Sequence, residues 1–267
     1  MNEERMSKRP VIVSGDATKR LERIHLSSLT FKEEWMQQLL EKEPQLLPTA
    51  NVDAIYAPLV CIGREIETNA GFIDNLYISS KGYIVIVETK LWRNPEARRE
   101  VVGQIIDYAK DVQQWSYEDL NNIFKKYYLS KYGKTQTLFE KMVELNFQTS
   151  ENEATFIDIT EKNIKTARFL LMIVGDGIRE GVDKMADFLN SAPHMQYRLA
   201  LVELEVYDLG NEERLVIPQL TTKTNIVERG IIRVEGATNN VNKGFLSNPI
   251  LCMFLPKWAS VSDQIPI

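Results

Sequence analysis

Cysteine and histidine are scarce in this chain of 267 residues: Cys61, Cys252, His25 and His194 are all there are. None stands at the spacing of zinc ligands, which excludes a cysteine cage and argues against a zinc site. The two cysteines lie far apart in apolar runs and are expected to be reduced, buried thiols. Long hydrophobic runs are missing too. The longest, Phe169 to Val174 and Ile250 to Leu255, fall far short of the ~20 residues that cross a bilayer. No segment is therefore expected to span a membrane. The opening residues MNEERMSKRP lead into no apolar stretch of a secretory signal, so a cytoplasmic location is expected. Nor is there an excess of positive charge: 32 basic residues against 37 acidic ones give a net −5, which argues against broad coating of nucleic acid but permits a local basic groove. The phosphate-binding and dinucleotide glycine motifs and the nucleophile elbow are absent, and GDGIREG after Val174 reads as a strand-to-helix turn.

The balance of 44% hydrophobic and 26% charged residues is that of a globular protein, and a chain of this length buries roughly 70% of its unfolded surface. Residues 30–47, TFKEEWMQQLLEKEPQLL, carry apolar side chains near helical spacing, with Thr30 and Glu33 as a capping box, and predict an amphipathic helix ending near Pro44. Ile55 to Ile66 predicts an edge or bulged strand broken by Pro58 and Gly63. GFIDNLYIS and YIVIVETK, joined through a turn at Gly82, predict a hairpin whose second strand is apolar on both faces and hence central. Asn94, Pro95 and Glu96 are a strong helix start, followed by an apolar stripe Ala97, Val101, Ile105, Ala109 and a second stripe Glu100, Gln104, Tyr108. RFLLMIVGDG, IREGVDKMADFLNSA and YRLALVELEVYDL predict a β, α, β unit on the same sheet. The expected organisation is an N-terminal segment 1–30, a core 31–207 with an outlying helical insertion at about 115–166, and a small β extension over 208–267.

Charge at the end of a buried strand requires a reason, because burying it unpaired is costly. If the hairpin turn centres near Lys81, paired residues sum to about 162 and Asp74 falls opposite Glu88, with Cβ atoms roughly 5 Å apart. Two opposed carboxylates repel unless a cation sits between them, and a hard divalent ion is the natural candidate. Lys90 shares the strand face of Glu88. The competing reading is a cross-strand Asp74–Lys90 ion pair beside a solvated Glu88, an arrangement of little energetic consequence.

The ordered set of Glu34 on a helix, Asp74, then Glu88, Thr89 and Lys90, then Gln104 and Tyr108 on a second helix resembles the PD-(D/E)XK nuclease superfamily, and in particular a bacterial branch of it. The likeness covers residues 30–115 closely and is compatible with the chain to about 207; Ile73 stands where the proline of the superfamily's name would be. The resemblance implies an α/β, restriction-endonuclease-like αβββαβ core with a mixed central sheet flanked by helices. It implies Mg²⁺ or Mn²⁺ held by Asp74, Glu88, the Thr89 carbonyl and Glu34, with Lys90 activating water and Gln104 and Tyr108 positioning the metal shell or the phosphate. The implied activity is phosphodiester hydrolysis, on DNA in preference to RNA, and a homodimer is a further expectation. Arg93, Arg98 and Arg99 suit phosphate contacts, or else a solvated helix face paired with Glu96 and Glu100. Lys125, Lys126, Lys131 and Lys134, interleaved with Tyr127, Tyr128 and Tyr132, read either as a surface that tracks phosphates with stacking aromatics or as an amphipathic helix with tyrosines inward. A non-catalytic nucleic-acid or protein-binding module with the same fold, and a hydrolase of small phosphate esters, are the alternatives in function.

Overall fold

Ile84 to Val87 are wholly buried, and the sheet is built around them. The computed structural model describes residues 10–26, 31–91, 97–147, 152–176 and 197–223, with the backbone alone at 97–99, 222 and 223. A hairpin of β1 (Val11–Ser14) and β2 (Ala17–Arg20) precedes β3 (Glu22–Ile24). Helix α1 (Glu33–Lys42) and the single turn α2 (Thr49–Val52) lead to three antiparallel strands, β4 (Leu59–Thr68), β5 (Gly71–Ser79) and β6 (Ile84–Leu91). Four helices follow: α3 (Ala97–Val112), α4 (Tyr117–Tyr132), α5 (Leu138–Glu144) and α6 (Glu153–Lys165). Strands β7 (Leu170–Asp176), β8 (Arg198–Gly210) and β9 (Glu213–Lys223) complete the described elements.

The sheet order is β3-β8-β7-β6-β5-β4, with β9 also paired to β8. β7 lies parallel to both β6 and β8, so antiparallel and parallel ladders meet at β6. Strand alternation divides the interior in two. Val85, Val87, Met172 and Val174 join Met36 and Leu40 of α1 in one cluster. Ile84, Ile86, Leu171 and Ile173 join Val101, Ile105 and Ala109 of α3, with Leu120, Leu138 and Phe156 of the following helices, in the other. The chain is thus an α/β protein with a mixed central sheet flanked by helices. Each of these apolar side chains contributes about 1.5–3 kcal/mol on full burial, and the two-sided burial of β6 explains why its sequence is continuously apolar.

Local departures from the sequence reading have physical causes. β4 begins at Leu59, because Ile55 belongs to a 3₁₀ turn over Ala54–Tyr56; its register slips between Cys61 and Gly63, and it lies at the sheet edge. The α1 N-cap is Lys32, with no side-chain cap, and Glu33 is spent on β6 instead of a capping box. Tyr117–Tyr132, Leu138–Glu144 and Glu153–Lys165 form three helices, two opened by capping boxes at Ser116 and Thr137. The helix start at Asn94, Pro95 and Glu96, the segment IREGVDKMADFLNSA, Thr30, and TNIVERGIIRVEG with LCMFLP lie outside the described residues. β3 and the β1–β2 hairpin have no counterpart in the sequence reading; they are short, and the β1–β2 pair is exposed throughout.

Candidate functional site

The β5–β6 ladder runs from Ile78–Ile84 to Asn75–Val87, each pair summing to 162, and ends there. At the next position the strands no longer pair through their backbones. The Thr89 backbone N–H, 2.7 Å away, and its hydroxyl, 2.6 Å away, both donate to Asp74 Oδ2. An aspartate side chain thus takes the place of the next rung, and Asp74 meets Thr89 where simple register would set it against Glu88. One strand away Glu65, between the Arg64–Asn75 and Ile66–Ile73 pairs, has φ +52°, a left-handed conformation that costs a non-glycine residue about 1 kcal/mol or more. Beyond this kink Ile73 packs into the α3 cluster, while Asp74 is turned to α1, where Gln37 Nε2 donates to its Oδ1 at 2.8 Å.

Glu88 is 4% exposed, and its Oε2 is buried with no hydrogen-bond partner. Burial, reinforced by the neighbouring Asp74 charge and only partly opposed by Lys90, pushes its carboxyl up to about 9. Asp74 is also raised, chiefly by burial, against the pull of its Thr89 hydrogen bonds. Glu88 therefore senses Asp74 as a like charge, while the like charges that raise Asp74 are Glu65 and Glu33.

Helix α1 reaches three strands with side chains spaced four apart on one face. Glu33 Oε1 accepts the Leu91 backbone N–H at 3.0 Å and lies 3.5 Å from Lys90 Nζ. Gln37 holds Asp74, and Glu41 lies 3.7 Å from Arg64 Nε and accepts from Tyr127 Oη at 2.7 Å and Lys131 Nζ at 2.8 Å. The structure brings Glu33 to the strand end in place of Glu34, which is exposed and accepts from Gln38 Nε2 at 3.0 Å. Lys90 accordingly pairs with Glu33 and not with Asp74.

On the other side of the sheet Gln104 Nε2 donates to Tyr108 Oη at 2.5 Å. Burial pushes the Tyr108 phenol up to about 12, and its electrostatic neighbours are Glu88, Asp74 and Glu65. It remains a protonated donor at the margin of the carboxylate pair. Gly71, with φ +133°, lets the β4–β5 turn lie against this ring, since a Cβ there would stand 3.3 Å from Tyr108 Oη.

Arg93 and the side chains of Arg98 and Arg99 lie outside the described residues. Of the α4 rings, Tyr128 is buried, Tyr127 donates to Glu41 and Tyr132 is exposed, whereas Lys126, Lys131 and, beyond the helix end, Lys134 are exposed, Lys131 pairing with Glu41. Glu33, Gln37 and Glu65 escaped sequence reasoning. Of these, Gln37 was findable, since it lies one turn beyond Glu33 on the same helical face.

Among the described residues no three His, Cys, Asp or Glu side chains are close enough to hold a metal ion by themselves. The donor set that is present consists of Asp74 and the orphaned Glu88 Oε2. A hard ion of the Mg²⁺ type is ordinarily held by one or two carboxylates with waters and substrate phosphate oxygens completing its shell. The pair fits such an ion, because a cation would satisfy the buried Glu88 oxygen and relieve its repulsion with Asp74. No described helix is long and apolar enough to cross a membrane. Compared with protein-family models, curated proteins and solved structures, the chain matches none.

Proposed function

We propose that this chain is a divalent-metal-dependent nuclease with a restriction-endonuclease-like core, hydrolysing phosphodiester bonds in DNA in preference to RNA. The observation that carries the reading is a like charge, Asp74, beside Glu88, whose Oε2 is buried without a hydrogen-bond partner near the end of β6, two residues before Lys90. The element order supports it: one helix, three antiparallel strands, a helix and a strand parallel to the third. A bound Mg²⁺ or Mn²⁺ would polarise the phosphate and lower the pKa of a water. Asp74, Glu88 and the Thr89 carbonyl are the groups that would hold it. Lys90, oriented by Glu33, would place the attacking water and offset charge building on the phosphate oxygens. Tyr108, its hydroxyl fixed by Gln104, would donate a hydrogen bond to the substrate phosphate.

The test is a cleavage panel of plasmid, single-stranded and duplex oligonucleotides and mononucleotide esters with Mg²⁺ and Mn²⁺. The wild type should cut polymers, and Asp74→Ala and Lys90→Ala should each abolish cutting. Full divalent-dependent cleavage by either variant would sink the assignment. Tight binding of polymer without turnover would make the chain a binding module, and turnover of mononucleotide esters alone would make it a small-ester hydrolase.

A further inference from the structure

Gln37 is 6% exposed, yet every polar group it carries is engaged. Its Nε2 donates to Asp74 Oδ1, its Oε1 lies 3.5 Å from Arg64 Nη1, and its backbone carbonyl accepts from Asn75 Nδ2 at 3.1 Å. An amide between an anion and a guanidinium has one favourable orientation, since a flip would set oxygen against carboxylate and NH₂ against cation. Arg64 is in turn held by Glu41, itself tied to Tyr127 and Lys131 of α4.

The consequence falls on Asp74. A carboxylate has about four lone-pair sites. Thr89 N and Oγ1 take both on Oδ2, and Gln37 takes one on Oδ1. A single site remains, on Oδ1. Asp74 locked in this way offers a cation one oxygen and cannot swing to a two-oxygen grip. Ca²⁺ accepts larger, flexible shells in which a carboxylate binds through one oxygen or both, whereas the smaller Mg²⁺ demands near-ideal octahedral geometry, which a fixed single-oxygen ligand suits.

We propose that Gln37 is a positioning residue that holds Asp74 as a one-oxygen ligand and so makes the site select small octahedral cations over Ca²⁺. The proposal rests on the cation reading of Asp74 and Glu88 given above. It is tested on the full chain, without nucleic acid, by calorimetric titration of Mn²⁺ and of Ca²⁺ into the wild type, Gln37→Met and the shape-preserving Gln37→Glu. In parallel, amide exchange of Thr89 is followed by NMR in chelator, with the Tyr77 and Val85 amides of the same ladder as internal references.

The wild type should prefer Mn²⁺, and either variant should lower the Mn²⁺-to-Ca²⁺ affinity ratio about tenfold, the lower end of what loss of a ligand's hydrogen-bond partner costs. Thr89 exchange should quicken about tenfold while the reference amides hold, because Asp74 is then free to leave it. An unchanged ratio with unchanged Thr89 exchange, in a protein that binds Mn²⁺, overturns the role of Gln37 and leaves the cation reading standing. Acceleration of all three amides together marks general destabilisation and likewise overturns it. Uptake of neither ion by the wild type removes the cation reading and the selectivity with it.

Discussion

Glu33 Oε1 stands 3.5 Å from Lys90 Nζ and accepts the backbone N–H of Leu91, so one carboxylate at the start of α1 fixes both the end of β6 and its ammonium. Its neighbour Glu34 faces solvent. Under the proposed function Glu33→Ala lowers Mg²⁺-dependent cleavage at least about tenfold, the usual scale for losing a positioning partner. Glu34→Ala leaves it unchanged. Equal losses in the two variants, measured as initial rates at saturating metal, would refute the distinction.

Glu88 carries its proton up to about 9 in the folded chain, against an ordinary 4.5. A raised folded-state pKa confers stability that is fully present below the unfolded value and is lost as pH rises through the folded one. In metal-free buffer, wild type and Glu88→Gln should therefore melt alike below about pH 4.5. Above it the wild type should fall progressively behind, the gap widening to pH 9. Melting curves across this range in chelator decide it, and parallel curves would show that Glu88 ionises freely.

The kink at Glu65 stores strain beside the carboxylate pair. Glu65→Gly should stabilise the chain by about 1 kcal/mol, since glycine adopts positive φ without a Cβ penalty. Glu65→Ala, which removes the charge and keeps the Cβ, should not reproduce that gain. Denaturant midpoints of the two variants separate backbone relief from the loss of a negative charge near Asp74 and Glu88.

Arg23 of β3 reaches across β8 to three acidic residues, with Asp176 at 2.9 Å, Glu203 at 2.6 Å and Glu205 at 3.3 Å. Asp176 Oδ2 also accepts the Leu26 backbone N–H at 2.6 Å, so the cluster fastens residues 23–26 to the end of β7 and the middle of β8. Arg23→Met leaves buried carboxylates without their guanidinium and should cost about 3–5 kcal/mol near neutral pH. Denaturant midpoints of the wild type and the variant measure it. A loss below about 1 kcal/mol would show that these pairs count for no more than surface ones.

The periodicity of the sequence determined the elements whose pattern is local. Continuous apolar residues over Ile84 to Val87, bounded by Ser79 to Gly82, could only be a buried strand after a tight turn, and the register summing to 162 followed from the turn alone. The stripe Val101, Ile105, Ala109 likewise fixed the buried face of α3. What tertiary structure decided was where polar side chains go once the strands stop pairing. Glu33 satisfies the local rule for a capping box, yet an unpaired amide and an ammonium on β6 compete for its carboxylate and win. Asp74 and Glu88 are adjacent by register, yet Asp74 is bound by Thr89 and Gln37. Such choices depend on groups 15 to 58 residues away in the chain, and no spacing rule within a single element carries that information; long-range contacts between strand ends and α1 supply it.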